Sequence, residues 1–435
     1  MIEKTKALQN IRVADVTWWG VGPYVTKLLG MMGAQVIRIE SEERIDPVRF
    51  APPMKPGQFS VNTSGYWNNF NPGKLSITLN LSQEKGIEIA KRLIKKSDIV
   101  ADNFTPRVMP KLGLGYDQLI KIKPSLIVLS MPVMGRGGPR SNFSAFGHQI
   151  AGLAGLNSIS GFPGRPPSGT GNAIADFGIN PYQASTALLA ALHYRNKTGK
   201  GQFIELAQYE ATACVLGTEI LNYTANNRVC EPIQNRHPHA APHGAYRCRD
   251  EQRWSFKPLL TEQEKKALGR NIGSPPWAEE RWCVIAVFTE DEWQGFCQAL
   301  GHPQWTREEK FSTLSKRKEN EDELDKELEK WTRQRTPEEV MHLLQKNGVA
   351  AGVIQNTEDL MEKDPHMKER KFYQVREHPE MGTVTYDGQP FKLSETPGEI
   401  ERSPLMGEHN EYVYGEILGM SEEEINQYTV DGIFM

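Results

Sequence analysis

The stretch ADVTWWGVGPYVTKLLGMMGAQVIRIES (residues 14–41) decides the fold. It begins in an apolar run, passes through a glycine turn, and then places apolar residues at the three- and four-residue spacing of a helix. A second apolar run, residues 35–39, follows and ends on Glu40. This order predicts a strand, a helix and a second strand, the unit from which nucleotide-binding parallel sheets are built.

The glycines of this unit do not fit a dinucleotide-binding loop. The fingerprint GxGxxG uses its third glycine for close packing of the helix on the strand. Here Val25 stands in that place after Gly20 and Gly22. Glu40 falls roughly where an acid that binds ribose would lie, but an acid that ends a strand is usually a solvated turn residue. The sequence therefore argues against NAD and leaves open a nucleotide-bearing ligand held in another way.

Strand and helix signals keep alternating through the first half of the chain. The pattern predicts helices at 87–94 and 180–197, and strands at 75–81, 99–101, 126–131 and 202–206. Such alternation is typical of a parallel α/β sheet with right-handed crossovers. At 435 residues, the chain is also long enough for a second domain.

The composition excludes several classes of protein. Hydrophobic residues make up 38% of the chain and charged residues 24%, as in ordinary globular proteins. No apolar run reaches the ~18 residues of a membrane span. The first residues contain no apolar segment of signal-peptide length, so we expect a cytoplasmic protein. A net charge of −3 argues against a nucleic-acid partner and favours a small molecule.

Neither a metal site nor a disulfide framework is expected. The five cysteines are scattered and have no CxxC spacing. His237, His239 and His243 come close together in the sequence, but no cysteine or paired carboxylate accompanies them. We therefore expect reduced thiols and no bound metal.

Seven dispersed segments of the chain carry a family resemblance. They are GPYVTKLLGMMGAQVIRIE (22–40), NPGKLSITLNL (71–81), DNFTPRVMPKLGLGYDQL (102–119), GNAIADFGIN (171–180), RNKTGKGQ (195–202), HGAYRCRD (243–250) and GEHNEYV (407–413). With these segments in this order, the chain resembles the class III CoA-transferases, a group that also contains acyl-CoA racemases. The resemblance extends over essentially the whole chain.

The resemblance implies that Asp176 is the catalytic nucleophile. In this mechanism the carboxylate attacks an acyl-CoA thioester to give a mixed anhydride, and the CoA thiolate returns to form an aspartyl-CoA thioester. A second acid then takes the CoA through a second anhydride. By its position alone, in a turn before a helix, Asp176 could equally bond its own backbone.

The resemblance also implies five residues that bind CoA. Cations would meet the phosphates, and an amide and an aromatic ring would contact the adenine; the residues are Arg38, Lys74, Asn103, Phe104 and Lys111. Lys111 stands where arginine is usual, and Pro72 and Leu75 replace arginines found in many members. CoA enters as a substrate, and no prosthetic group is expected.

The opening turn is expected to form part of the substrate pocket. A glutamine often stands in the family where Gly20 stands here, so its absence would enlarge the pocket, while Trp18 and Trp19 would add aromatic surface. The alternative is that both tryptophans fill the core. The resemblance is nearest the branch that handles benzylsuccinate and related aryl acids, with succinyl-CoA as donor. We therefore predict a bulky or aromatic acid as substrate.

Two rival functions remain open at this point. Racemases of the same fold use a histidine and an aspartate as acid and base, and His148 is in register with that histidine. However, Gln149 replaces the acid that follows it, and Ala151 and Gly152 replace an Asn-Tyr pair. A non-catalytic subunit of a heteromeric transferase is the second rival, and the presence of Asp176 argues against it.

The resemblance implies an interlocked-ring dimer of identical or homologous chains. Each chain would contain a large Rossmann-like domain over 1–215 and a smaller α/β domain over 246–355 with an insertion near 254–281. Linkers over 216–245 and 356–405 would join them. The C-terminal segment 406–435 would return to the large domain, which would thus be built from both ends of the chain.

Overall fold

The computed structural model describes residues 5–249 and 280–435, so the insertion expected near 254–281 lies almost entirely outside the described residues. The chain divides into two compact units. The first unit comprises Met1–Pro232 and Pro365–Met435, and the second comprises Ile233–Asp364. The C-terminal segment therefore belongs to the same unit as the N-terminal half.

The first unit is built on a six-stranded parallel sheet, which confirms the predicted fold class. Its strands in chain order are β1 (Arg12–Asp15), β2 (Gln35–Glu40), β3 (Leu75–Thr78), β4 (Ile99–Asp102), β5 (Ile127–Ser130) and β6 (Gln202–Glu205). In space they lie in the order β3-β2-β1-β4-β5-β6. The connections run in opposite directions from β1 and β4, and such a reversal opens a crevice at the carboxyl ends of these two strands.

Helices cover both faces of this sheet. The helices of this half are α1 (Val21–Met31), α2 (Gly65–Phe70), α3 (Glu84–Lys95), α4 (Val108–Lys111), α5 (Tyr116–Ile122), α6 (Gly147–Leu153), α7 (Asn180–Thr198), α8 (Gln208–Ala213) and α9 (Gly217–Asn226). Successive strand residues alternate between two hydrophobic clusters, because side chains along a strand point to opposite faces. Ala14 packs with α3 on one face, whereas Val13 packs with α1 and α7 on the other.

The second unit contains an antiparallel sheet of β7 (His243–Arg247), β8 (Trp282–Ala286) and β9 (Ala350–Val353), with β8 in the middle. The helices among its described residues include α10 (Glu290–Leu300), α11 (Leu314–Glu319), α12 (Glu321–Thr332) and α13 (Pro337–Lys346). All five cysteines of the chain are free thiols. In the described ranges, no helix has the length and apolarity that crossing a membrane requires, and no cluster of side chains could hold a metal ion.

The segments expected to be linkers contain regular structure. Residues 216–245 include α9 and the start of β7. Residues 356–405 include α14 (Pro365–Glu369) and a hairpin of β10 (Tyr373–His378) and β11 (Gly382–Asp387). Sequence periodicity did not indicate these elements because they are short and largely exposed, so few apolar side chains mark them.

The C-terminal segment covers the free edge of β3. The N–H of His409 donates to the carbonyl of Ser76 (2.9 Å), and the N–H of Ser76 donates back to His409 Nδ1 (3.1 Å). Asn410 accepts from the N–H of Thr78 (2.9 Å) and donates to its Oγ1 (2.8 Å). These side chains satisfy an edge strand that would otherwise expose unpaired backbone groups. Beyond them, α15 (Glu422–Val430) completes the chain.

Removal of the Asn410 amide should loosen this edge. We expect Asn410→Ala to lower the free energy of unfolding by about 1–3 kcal/mol, because it leaves the Thr78 N–H without its acceptor. The Thr78 hydroxyl also loses the bond it accepts from Asn410, although it still donates to the carbonyl of Phe434. The matched control is Glu411→Ala at the next, exposed position, which should change stability by less than about 0.5 kcal/mol. Urea unfolding measures both. Equal effects of the two substitutions would contradict this account of the edge.

Candidate active site

A cavity of about 620 Å³ lies at the crevice between the ends of β1 and β4. Trp18, Trp19 and Gly20 follow β1 and form one wall, and residues 103–105 follow β4 and form a second. Residues 143–146 and Asp176 complete the lining together with several smaller contributions. The sheet topology therefore brings these separate segments together, as expected for a parallel sheet with a reversal of strand order.

Asn103 ties the two strand ends together. Its Oδ1 accepts from the N–H of Trp18 (2.8 Å), and its Nδ2 donates to the carbonyl of the same residue (2.8 Å). The rings of Trp18 and Phe104 then meet edge to face at 5.7 Å. The Asn103 amide thus positions the Trp18 backbone, and both Asn103 and Phe104 line the cavity. Their contact with adenine stays a prediction.

Trp19 is held in an uncommon backbone conformation. Its φ angle is 61°, in the left-handed region that costs a non-glycine residue roughly 1–3 kcal/mol. The carboxylate of Asp46 accepts the Trp19 N–H at 3.1 and 3.2 Å, and the Trp19 ring packs edge to face on Phe146 at 4.9 Å. Trp18 and Trp19 are both half-buried and line the cavity, so they are wall residues and not fillers of the central core.

Asp46 belongs to a buried network of charges beneath this wall. Arg38 donates to Asp46 at 2.6 Å and pairs with Asp15 at 3.4 Å. Glu40 pairs with Arg49 at 2.9 Å. Burial raises the pKa of the Asp46 carboxyl to about 6, although Arg38 acts in the opposite direction. Burial also opposes ionisation of Asp15, but the nearby cations of Lys74 and Arg38 outweigh it and lower its pKa to about 2.

The expected contacts of Arg38 and Lys74 with CoA phosphates do not fit this structure. Arg38 is 0% exposed and Lys74 is 2% exposed. Lys74 Nζ donates to Asp15 (3.0 Å), Thr26 (2.7 Å) and Asn71 (2.9 Å), so its donors face the protein interior. Burial lowers the pKa of its ammonium group to about 8. Both cations hold the sheet and the turn together and do not reach the cavity.

Gly20 lines the cavity, and a side chain there would begin against an aromatic ring. A Cβ at this position would come within 3.0 Å of the Phe177 ring. Phe177 in turn stacks on Phe70 with ring centroids 5.3 Å apart. A larger residue at Gly20 would therefore have to move this ring, and the expected enlargement of the cavity by glycine stays a prediction.

Asp176 lies in a π-helical turn, Ala175–Ile179, directly before α7. Turns of this kind occur often at functional sites. Its Oδ2 accepts the N–H of Gly147 at 2.9 Å. Burial raises the pKa of the Asp176 carboxyl to about 6, and this hydrogen bond and the charge of His148 only partly counteract burial. The result is a carboxylate that is poorly solvated and held by one oxygen.

The sequence did not indicate Gly147 as a site residue. It is 29 residues before Asp176, and a glycine at the start of a short helix carries no chemical signal of its own. His148 follows it but does not line the cavity, whereas Gln149 does. Lys111 is exposed at the end of α4, and Val108 of the same helix lines the cavity.

The lining is aromatic and carries a single charge. Its large side chains include Trp18, Trp19, Phe104, Phe143 and Phe146. Among the described residues that line it, Asp176 is the one with an ionisable side chain. The cavity is therefore suited to an apolar group placed beside a carboxylate.

Comparison with known proteins identifies the family. The model of CoA-transferase family III matches residues 8–281 and 278–410. The chain is 28% identical to a succinyl-CoA–D-citramalate CoA-transferase of Chloroflexus aurantiacus, with 97% of this chain and 96% of the relative covered. It is 30% identical to a formyl-CoA:oxalate CoA-transferase of Streptomyces coelicolor, with 98% and 99% covered.

A solved structure agrees with this assignment. A CAIB/BAIF family protein from Brucella suis superposes with a TM-score of 0.80 at 28% identity, and the match covers 95% of this chain and 100% of the other. The fold and the sequence thus lead to the same group of proteins. The chain belongs to CoA-transferase family III and is a CoA-transferase that acts on acyl-CoA thioesters.

Proposed function

We propose that this enzyme moves CoA from an acyl-CoA donor such as succinyl-CoA to a free acid with a bulky or aromatic skeleton, such as benzylsuccinate. Asp176 is the nucleophile in this proposal. The observation that supports it best is the position of the Asp176 carboxylate in the cavity wall, with one oxygen held by the Gly147 N–H.

The chemistry requires only a carboxylate in a sheltered place. Asp176 attacks the donor thioester and forms a mixed anhydride while CoA leaves as a thiolate. The thiolate then attacks the aspartyl carbon and releases the donor acid, which leaves an aspartyl-CoA thioester. The acceptor acid repeats these two steps in reverse. Burial supports this role, because a poorly solvated carboxylate is a better nucleophile than a hydrated one and water is kept from the anhydride.

The aromatic lining supports a bulky acid. The relatives are named for citramalate, oxalate and malate, which are small and strongly polar acids. A second carboxylate next to the reacting one would need a cation or several donors when buried. The described lining residues include no lysine, arginine or histidine, and they include five aromatic rings. Their neutral polar side chains are those of Asn103, Thr105, Ser144, Gln149 and Gln208. The amides of Asn103, Gln149 and Gln208 are already bonded to backbone groups. The second carboxylate of an acid such as benzylsuccinate would therefore lie outside this lining.

Two chains are expected to assemble, as in the family. The Chloroflexus relatives named for L-malate are described as alpha and beta subunits, so a homologous partner is one form and an identical chain the other. We propose an interlocked dimer in which this chain supplies a catalytic aspartate. A racemase activity is the less favoured alternative, because His148 influences Asp176 but does not line the cavity.

A panel of acids tests the proposed reaction. The purified protein is incubated with succinyl-CoA or acetyl-CoA and free acids from oxalate and carnitine to benzylsuccinate and phenyllactate. We expect new CoA thioesters of the aryl acids, detected by mass spectrometry, and their loss in Asp176→Asn. Transfer restricted to oxalate would refute the bulky substrate. Exchange of the α-hydrogen for deuterium without any new thioester would favour the racemase.

The pH dependence of the reaction should report the pKa of Asp176. Because the carboxylate form is the nucleophile, kcat/KM should fall roughly tenfold per pH unit below about 6. The raised pKa also means that ionisation is unfavourable in the folded state, so its contribution to stability is present below the ordinary pKa of about 4 and is lost as pH rises through about 6. Asp176→Asn stays neutral and should therefore be more stable than the wild type above about pH 6.

Measurement of both profiles separates these claims. Steady-state kinetics between about pH 5 and 8 gives the first, and urea unfolding of the two proteins at the ends of this range gives the second. A flat kcat/KM profile across this range, or an Asp176→Asn variant that is less stable at the upper end, would contradict a raised pKa of the Asp176 carboxyl.

Substitution of Lys111 and of Lys74 tests which of the two lysines binds CoA and which stabilises the fold. Lys111→Met removes an exposed charge on the helix whose Val108 lines the cavity, so we expect weaker binding of CoA and unchanged stability. Lys74→Met leaves Asp15 short of a buried partner and should lower the free energy of unfolding by about 3–5 kcal/mol. Calorimetric titration with CoA and urea unfolding measure the two effects. A stable Lys74→Met protein that no longer binds CoA would restore the phosphate role of Lys74.

A further inference from the structure

We propose that Gly147 fixes Oδ2 of Asp176 throughout the reaction, so that Oδ1 alone attacks the substrate and negative charge develops on Oδ2 beside the Gly147 N–H. This inference rests on the function proposed above, in which Asp176 is the covalent carrier. It assigns Gly147 the role of holding Oδ2, and it predicts that Oδ1 is exchanged during the reaction whereas Oδ2 is retained.

The contact is close and leaves no room for a side chain. Gly147 is buried, and its N–H donates to Oδ2 at 2.9 Å. A Cβ on Gly147 would lie 2.7 Å from Oδ2, 2.8 Å from Cγ of Asp176 and 2.9 Å from Cβ of Ala173. The backbone of Gly147 is not in the left-handed region, so glycine is required here by space and not by conformation. Any other residue would have to displace the carboxylate or the helix.

The two oxygens of Asp176 are therefore not equivalent. In the described parts of the chain, no hydrogen-bond donor contacts Oδ1, which is left for the substrate. When Oδ1 attacks the thioester carbon of the donor, the C–S bond breaks and CoA leaves as a thiolate. Oδ1 now bridges the donor acyl carbon and Cγ, and Oδ2 is the carbonyl oxygen of the aspartyl half.

The next steps place charge on Oδ2. The thiolate attacks Cγ, and the π electrons of the Cγ–Oδ2 bond move onto Oδ2, where the Gly147 N–H is already in place. A donor aimed at a developing oxyanion is among the strongest catalytic contributions of a protein. Collapse of this intermediate breaks the Cγ–Oδ1 bond, and the donor acid carries Oδ1 away. Attack of the acceptor carboxylate on Cγ repeats the same charge development as the thiolate leaves.

The last step restores the carboxylate with a new oxygen. The thiolate attacks the acyl carbon of the acceptor, and the bond from that carbon to the bridging oxygen breaks. Asp176 keeps this oxygen, which came from the acceptor acid. Each catalytic cycle thus replaces Oδ1 and retains Oδ2, provided that the carboxylate does not rotate about its Cβ–Cγ bond between cycles.

Oxygen-18 tests this directly in the wild-type enzyme. The enzyme is given unlabelled donor acyl-CoA and an excess of acceptor acid with oxygen-18 at both carboxylate positions. After many turnovers it is freed of substrates and digested, and the peptide that carries Asp176 is weighed. We expect one labelled oxygen. Two labelled oxygens would show that the carboxylate turns and would overturn the role of Gly147 while leaving Asp176 as carrier. No label after demonstrated turnover would overturn the proposed function itself.

A pair of glycine variants gives a second test. Gly147→Ala should reduce kcat by about 100-fold with little change in KM, as expected when an oxyanion donor is misplaced, and should admit a second labelled oxygen. The control is Gly152→Ala in the same helix, where the nearest neighbour of a new Cβ is the Asn157 amide at 3.6 Å. It should keep wild-type kcat and a single label. Wild-type kcat with a single label in Gly147→Ala would overturn the proposal.

Discussion

Burial of the Arg38 guanidinium is the constraint on which the site depends. A fully buried cation is tolerated only when carboxylates surround it, and Arg38 meets this requirement with Asp15 at the end of β1 and Asp46 in the loop after β2. Asp46 then has lone pairs to spare, and it uses them to hold the N–H of Trp19. The left-handed turn at Trp19, which forms part of the cavity wall, is therefore anchored to the sheet through Asp46 and the buried guanidinium of Arg38.

The second anchor is an amide and carries no charge. Asn103 bonds both backbone groups of Trp18 and so joins the ends of β1 and β4, which are neighbours in the sheet but far apart in the chain. The two anchors act on consecutive residues from opposite sides. The turn is thus fixed before any substrate binds, which is what a reaction that depends on positioning requires. These contacts occupy hydrogen-bonding groups of Arg38 and Asn103, whose residue types alone would suit phosphate and adenine.

The sequence predicted the sheet and part of the site. Strands appeared because their residues are buried on both faces and form continuous apolar runs, and Trp18, Trp19, Phe104 and Asp176 do meet in one cavity. The task of Lys74 could not be predicted, because its partner Asp15 is 59 residues away and a lysine beside a strand reads the same whether it is buried or exposed. Gly147 could not be predicted for a related reason. It contributes a backbone N–H and the space left by its missing side chain, and a glycine in a sequence does not indicate either of them. The short helices and strands within the expected linkers bury little apolar surface, so their sequences show no periodic pattern of apolar residues.

The placement of Asp176 joins stability to activity. Burial makes its ionisation costly, so the folded protein is less stable at neutral pH than it would be with a neutral residue there. In the proposed reaction this cost favours attack, since a hydrated carboxylate would be a poorer nucleophile. The Gly147 N–H recovers part of the cost at one oxygen only. A second donor at Oδ1 would stabilise the fold further but would also bind the attacking lone pair. If Asp176 is the nucleophile as proposed, the single bond to Oδ2 balances stability of the fold against freedom of Oδ1 to attack.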